Sequence, residues 1–383
     1  MYSLVDFGSM LTDNVRVQAY HKALEEVAGG KRVLEIGGGT GFFACLASAA
    51  GAEHVTSIET NSLITQGPAL ARSNGLTNIK FAMGSAQHYQ ADEPFDVIIH
   101  DLRGNTPFFE GSMATIRDAR RLLKPGGRFL PQRDRVFAAL VDDEVAFRRM
   151  EGVWGQRLAG LDLTALRAAT HRRLRYEPSE NATHWEPQLI ADVSYIDPKE
   201  DAVDSTVTFA PDHDGVCHGV ALWFETELTD NVGYTTNPWA PSQNRGTTYG
   251  VCFLPWARPI EIKEGESYRL EVGLSSKGQA RCKISQNLGG SDLLLGMFEE
   301  TYSAYKDIQI FTNSRFIANP LLKAYRVAMQ GVEKGNSSAA IAKKLQQSCD
   351  NIPSEEAAYK LLAKVAQFTQ VRVARGREKT THL

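Results

Sequence analysis

Val33-Leu34-Glu35-Ile36-Gly37-Gly38-Gly39-Thr40-Gly41 reads as an apolar strand running into a glycine-rich bend. A helix over 42–50 follows. Glycines let a backbone turn tightly and approach a ligand closely. Unpaired N–H groups at a helix start attract anions. Glu59 lies 20 residues past Gly39, at the end of a second strand-like run, Val55–Ile58. An acid at that spacing suits ribose hydroxyls.

Three details sharpen this reading. The glycines run x-Gly-x-Gly-x-Gly rather than in the dinucleotide spacing. Glu35 precedes them, placed to hold the amino group of a cationic amino-acid ligand. Leu122-Leu123-Lys124-Pro125-Gly126-Gly127 resembles the turn before a late strand in methyltransferases that use S-adenosylmethionine. That resemblance implies the cofactor. A nicotinamide enzyme and an inactive Rossmann-like scaffold are the other readings of the bend.

Outward from the bend, strands and helices alternate over 31–130. Strands are expected at 32–36, 55–58, 79–83, 95–100 and 128–130, with helices at 42–50, 62–74 and 111–123. Such alternation predicts a doubly wound parallel sheet with ligands at the carboxyl ends of its strands. Upstream, Val17, Tyr20, Leu24 and Val27 form one stripe of a helix over 11–28, capped by Asp13 or Asn14. From Pro131, short runs rich in Val, Phe, Tyr and Trp predict an antiparallel β domain. Helical-looking material at about 145–180 interrupts it, as an arm or a subunit contact. Beyond about 315, helices opening at Asn319-Pro320, at Ser337 or Ser338 and at Ser354 form a small module, followed by a basic tail from Arg372. The expected domains are therefore 1–130, 131–315 and 316–383.

At 383 residues the chain exceeds one ordinary core, and its formal charge of −3 announces neither nucleic acid nor an anionic membrane. The cysteines Cys45, Cys217, Cys252, Cys282 and Cys349 are scattered and odd in number. They suggest buried thiols in a reducing cytoplasm, with no metal site and no disulfide framework. No secretory leader and no membrane span is expected.

Asp101-Leu-Arg-Gly-Asn-Thr-Pro-Phe-Phe-Glu110 follows the fourth strand. Two carboxylates there are able to grip a planar cation, or to serve as a cap and a helix-start acid. Over residues 2–315 the chain resembles the protein arginine methyltransferases. The matching parts are Met10-Leu11-x-Asp13-x-x-Arg16-x-x-x-Tyr20, the bend at 35–41, Glu59, the two-acid loop, and a β domain with an inserted arm.

The resemblance implies a class I Rossmann-like methyltransferase domain, an antiparallel β-barrel with a helical dimerisation arm, and roles for single residues. Arg16 holds the cofactor carboxylate. Glu35, Gly37, Gly39 and Gly41 line its amino-acid and ribose portions. Glu59 takes the ribose hydroxyls, and Ser85, Ala86 and Gln87 lie along the adenine. Asp101 and Glu110 clamp the acceptor nitrogen group, and Met10 packs near the transferring methyl. The arm implies a homodimer.

Three departures from the family stand out. Asp101 is one methylene shorter than the usual glutamate. Gln87 replaces a glutamate. Thr247-Thr248-Tyr249 takes the place of a Thr-His-Trp loop, while a literal Thr183-His184-Trp185 falls in the arm and is read as coincidence. The leading expectation is methyl transfer to a guanidino nitrogen of arginine, free or in a peptide. The alternatives are transfer to a side-chain amide of a ribosomally made peptide, and a non-catalytic scaffold. His100 is a further candidate base or packing residue. Trp223, Phe224 and Tyr268 read as core, with Trp239 and Trp256 near the cleft by analogy.

Overall fold

A computed structural model describes residues 2–109, 111–166, 174–197, 202–275, 279–288 and 291–299, and then 327, 338–348, 358, 373–375 and 379–381. The chain divides into two compact units, Met1–Glu300 and Thr301–Leu383.

The first unit opens with two helices, α1 (Leu4–Leu11) and α2 (Asn14–Val27). Ser3 and Asp6 close a capping box on α1, and Asp13 caps α2. Tyr20 and Leu24 of the expected stripe are fully buried. The strands β1 (Arg32–Ile36), β2 (His54–Glu59), β3 (Ile79–Met83), β4 (Phe95–His100) and β5 (Leu123–Leu130) form a parallel sheet in the order β3-β2-β1-β4-β5. The helices α3 (Phe42–Ala49), α4 (Gly67–Ser73) and α5 (Ser112–Ala119) connect them. The central strand β1 is apolar because both its faces are covered: Val33, Leu34 and Ile36 are at most 1% exposed. Its last residue, Ile36, pairs with Ile58 of β2 and with His100 of β4. Glu35, Glu59 and Asp101 are thereby brought to one edge of the sheet. The expected helix at 62–74 begins as a 3-10 turn, Ser62–Gln66, before α4. Pro68 sits in the first turn of α4, where its missing N–H is harmless.

After Leu130 the chain turns antiparallel. β6 (Arg133–Asp142) and α6 (Glu144–Glu151) come first. A seven-stranded sheet contains β6 and the long strands Gly215–Glu227 and Val251–Ile262. A four-stranded sheet contains Val203–Phe209, Tyr268–Leu274, Ala280–Leu288 and Ser291–Glu299. Leu222, Phe224, Leu254 and Trp256 share a core with Leu270, Val272, Cys282 and Ile284, so the two sheets face each other.

The expected barrel is corrected here: among the described residues the two sheets do not join into a closed ring. Along one edge of the seven-stranded sheet Gln188–Ser194 and Thr183–His184 both pair with β6, and along the other Leu174–Tyr176 pairs with Val251–Phe253; among the described residues neither edge forms a ladder with the four-stranded sheet. The arm consists of α6, a 3-10 turn at Gly152–Gly155, a minimal hairpin pairing Arg157–Leu158 with Leu161–Asp162, and a 3-10 turn at Thr164–Leu166. The helical run expected at 147–149 lies in α6, and the one expected at 163–173 falls mostly on 167–173, which lie outside the described residues.

In the second unit the helix Ser338–Ser348 stands where one was expected, with Ile341, Ala342 and Leu345 buried. The tail, expected to be solvated coil, pairs Val373–Arg375 with Lys379–Thr381. The helices expected from Asn319 and from Ser354 lie outside the described residues. No helix among the described residues is long and apolar enough to cross a membrane. Cys45, Cys217, Cys252 and Cys282 are buried thiols, and Cys349 lies outside the described residues.

Candidate active site

The glycine bend is built by backbone that L side chains avoid. Gly37 and Gly39 have φ of 71° and 58°. A Cβ on Gly37 would stand 2.3 Å from Leu102 Cδ2, and one on Gly39 would stand 2.3 Å from Phe7 Cε1. The bend is therefore closed over by α1 from one side and by the two-acid loop from the other. Gly41, also at positive φ, opens α3 with no side-chain cap.

Two acids serve the bend. Glu59 turns onto it: Oε2 accepts from Gly39 N at 2.9 Å and Oε1 from Asn61 N at 2.7 Å. Glu35 is 2% exposed and accepts the Ser57 hydroxyl at 2.5 Å. Burial pushes its carboxyl up to about 8 against the opposing hydrogen bonds of Ser57 and the Ala44 backbone. Ser85 caps a short 3-10 turn, Ala86–His88, and Arg121 Nη2 pins that turn by donating to the Ala86 carbonyl at 2.9 Å and the Gln87 carbonyl at 3.0 Å.

Asp101 lies in a different electrostatic setting. Arg16 Nη1 donates to its Oδ2 at 2.5 Å, and Arg103 Nη2 donates to its Oδ1 at 2.8 Å. Tyr20 Oη reaches the same Oδ1 at 3.1 Å. Burial alone would raise this carboxyl, but the two guanidiniums outweigh it and hold it down at about 2. Arg16 Nη2 donates to the Met10 carbonyl at 2.5 Å, while its buried Nε has no hydrogen-bond partner. Asp13, besides capping α2, accepts from Thr247 N at 2.7 Å and Thr248 N at 2.8 Å. Tyr249 Oη donates to the Asp101 carbonyl at 3.3 Å. The Thr247–Tyr249 segment is thus bound to α1, α2 and the acid loop at once.

Arg103 lies two residues past Asp101 with no side-chain exposure. Its Nη1 donates to Asp134 Oδ1 at 3.0 Å and to Thr226 at 2.8 Å, and its Nη2 also meets Tyr20 at 2.9 Å and Tyr234 at 2.7 Å. The rings of Phe224 and Tyr249 stand 5.3 Å from its Cζ. Sequence reasoning gave Arg103 and Asp134 no role. Their only signal was a charge at each end of the stretch where the parallel sheet meets the β domain.

Glu110 lies outside the described residues. His100 is fully buried, packs against Tyr195 at 4.4 Å between ring centroids, and has both ring nitrogens without partners. Burial, then Arg103, pushes its pKa down to about 3, so it is a neutral packing residue rather than a base. Thr183-His184-Trp185 sits against the far end of β6 at Asp142 and Val141, with the Trp185 indole donating to the His213 carbonyl at 3.1 Å. Trp256 is core and donates to Cys217 Sγ. A hollow of about 300 Å³ on the four-stranded sheet, between Asp204, Glu271, Arg281 and Met297, includes no residue of the bend or the acid loop.

The donor set fits S-adenosylmethionine. Among the described residues no cation pairs with the buried Glu35 carboxyl, which suits an ammonium. Arg16 Nε makes no hydrogen bond among them and stands 3.8 Å from Asp13 Oδ2, an N–H that suits a carboxylate, and the glycine bend and Glu59 suit a ribose.

A family profile described as a methyltransferase domain matches residues 28–165. Histone-arginine methyltransferase CARMER of Drosophila ananassae is 29% identical over 299 residues, 73% of this chain and 55% of that protein. The Drosophila mojavensis protein of the same name is also 29% identical. The chain thus spans about half the length of the curated relatives it matches. Among solved structures, Arabidopsis thaliana protein arginine methyltransferase 10 superposes with a TM-score of 0.66 at 20% identity, covering 78% of this chain and 98% of that one. The Trypanosoma brucei PRMT1 enzyme-prozyme complex with AdoHcy gives 0.66 at 20% identity, over 76% and 96%. These likenesses lend no support to the amide-methylating or scaffold readings.

Proposed function

Starting from a chain related by sequence and fold to the protein arginine methyltransferases, we propose that it transfers a methyl group from S-adenosylmethionine to a guanidino nitrogen of arginine, free or in a peptide. One observation carries the reading. The bend after β1 and Asp101 after β4 lie on adjacent strands at the same sheet edge, in register through Ile36 and His100.

When bound, the cofactor supplies an electrophilic sulfonium methyl; the chain supplies placement and dryness. Glu35 holds the ligand's ammonium, Glu59 its ribose, and Ser85, Ala86 and Gln87 flank its base. Arg16 offers Nε to its carboxylate while anchoring Asp101. Phe7 over Gly39 excludes water, with Met10 at the end of the same helix. Asp101 orients the acceptor nitrogen. A carboxylate held at about 2 is a poor proton acceptor near neutrality, so proton removal falls to Glu110 or to solvent.

The arm exposes Val145, Leu158, Leu161 and Leu166, with Leu161 at 69%, which supports a homodimer built through it. The buried thiols suit a cytoplasmic setting.

The test is labelled cofactor with arginine and arginine peptides, read by mass spectrometry. The wild-type chain should add increments of about 14 daltons, one CH2 group each, at a guanidino nitrogen. Glu110→Gln should keep cofactor binding and lose about 100-fold or more in turnover. Unchanged turnover in that variant, or no transfer by wild type, would contradict the proposal.

A further inference from the structure

The two-acid loop brings its own guanidinium. Resting on the function just proposed, we infer that Arg103 is a positioning residue that locks Asp101 in the direction from which it meets the acceptor.

A carboxylate offers about four acceptor positions. On Asp101, Oδ1 accepts from Arg103 Nη2 at 2.8 Å and Oδ2 accepts from Arg16 Nη1 at 2.5 Å. The single hydroxyl proton of Tyr20 has the His100 carbonyl at 2.8 Å and Oδ1 at 3.1 Å before it. Both oxygens are thus held in place by guanidinium nitrogens. The two guanidiniums are shared with Asp13 and Asp134, so three carboxylates surround two cations and the cluster keeps one negative charge.

The geometry around Arg103 is that of a closed guanidinium chamber. Asp134, 0% exposed, meets one end of its fork at 3.0 and 3.2 Å, and Tyr195 donates to Asp134 in turn. Asp101 and Tyr234 take the other end, and aromatic faces cover the plane. Only a planar fork reaches both carboxylates together. A lysine keeps the charge but has a single nitrogen. The chamber joins β6 and the long strand Gly215–Glu227 to the loop after β4. Asp101 is therefore aimed by the β domain rather than by its own strand alone.

The experiment uses the full chain with labelled cofactor and an arginine peptide. Arg103→Lys retains a cation opposite Asp134. The pair Arg103→Met with Asp134→Asn removes both charges at once, which avoids leaving one buried and unpaired. Each variant is measured for S-adenosylhomocysteine affinity by calorimetry, and for kcat and acceptor KM. The inference expects affinity within about twofold of wild type, acceptor KM within about threefold, and kcat down by roughly 10- to 100-fold, since misaiming a reacting group by about 1 Å has that effect.

A folded variant with kcat within twofold of wild type overturns the inference. So does a rise in KM at unchanged kcat, which would mean that Arg103 governs acceptor binding. If wild type binds the cofactor product yet methylates no guanidino acceptor, the function proposed above fails and this inference falls with it.

Discussion

Glu35 and Asp101 stand at the ends of adjacent strands, both largely removed from water, and their carboxyls are driven in opposite directions. Glu35 has a hydroxyl for company and sits at about 8. Asp101 has two guanidiniums and sits at about 2. Burial pushes both upward, so the difference lies chiefly in the cations the chain provides, with the neighbouring carboxylates Glu59 and Asp101 raising Glu35 further. Desolvating a charge is costly unless it is paired. A fold that leaves one carboxylate unpaired and pairs its neighbour twice has assigned them different work. Glu35 is poised to receive a cation from a ligand. Asp101 is held from within by two guanidiniums, which fix its direction.

The contrast breaks most sharply at the pairing itself. Asp134→Ala removes one of the two carboxylates that face the buried Arg103 guanidinium and leaves Asp101 at 2.8 Å. Breaking a buried pair costs roughly 3–5 kcal/mol, so urea denaturation should show a fall toward the lower end of that range. A loss below about 1 kcal/mol, the scale of a surface ion pair, would mean that Asp101 alone satisfies Arg103.

A smaller effect is expected at Asp13, which joins α2 to the Thr247–Thr248 backbone. Asp13→Ala removes a helix cap and two backbone contacts at 2.7 and 2.8 Å. Caps contribute about 0.5–2 kcal/mol, and the same denaturation experiment should place the loss near the upper end of that range. A loss of only a few tenths would detach the Thr247–Tyr249 segment from the site.

The Glu35 side was readable in advance because its information is local. Apolar residues at β1, glycines at forbidden φ and an acid after β2 lie within one stretch, and backbone geometry demands those residue types there. Asp13 was readable as a cap for the same reason. The Asp101 side was legible only in part. Its position after β4 follows from strand alternation, but its partners do not. Arg103 and Asp134 are 31 residues apart and meet because β6 folds back beside the loop. Nothing in the spacing of Asp101 and Glu110 reveals that a third charge between them is turned inward.

The β domain shows the same limit. Its strands are visible as β-branched and aromatic runs. Closure depends on whether the edge strands of the two sheets pair with each other, and among the described residues Gln188–Ser194 pairs with β6 but forms no ladder with the four-stranded sheet. Thr183-His184-Trp185 pairs with the last residues of β6, while Thr247–Tyr249 meets Asp13 and Asp101.

The contrast is tested most directly by proton release on binding. Near pH 7 a carboxyl at about 8 is mostly protonated, and a ligand's ammonium, with an ordinary pKa of about 7.7–8.0, is mostly charged. A cation seated beside Glu35 favours the ionised form, so binding should expel a proton and affinity should rise as pH climbs toward 8. Calorimetry of S-adenosylhomocysteine at pH 7, in two buffers of different ionisation enthalpy, reads that proton. The account predicts close to one proton released by the wild-type chain and none by Glu35→Gln. Equal heats in both buffers for the wild-type chain, or the same release from Glu35→Gln, would contradict it.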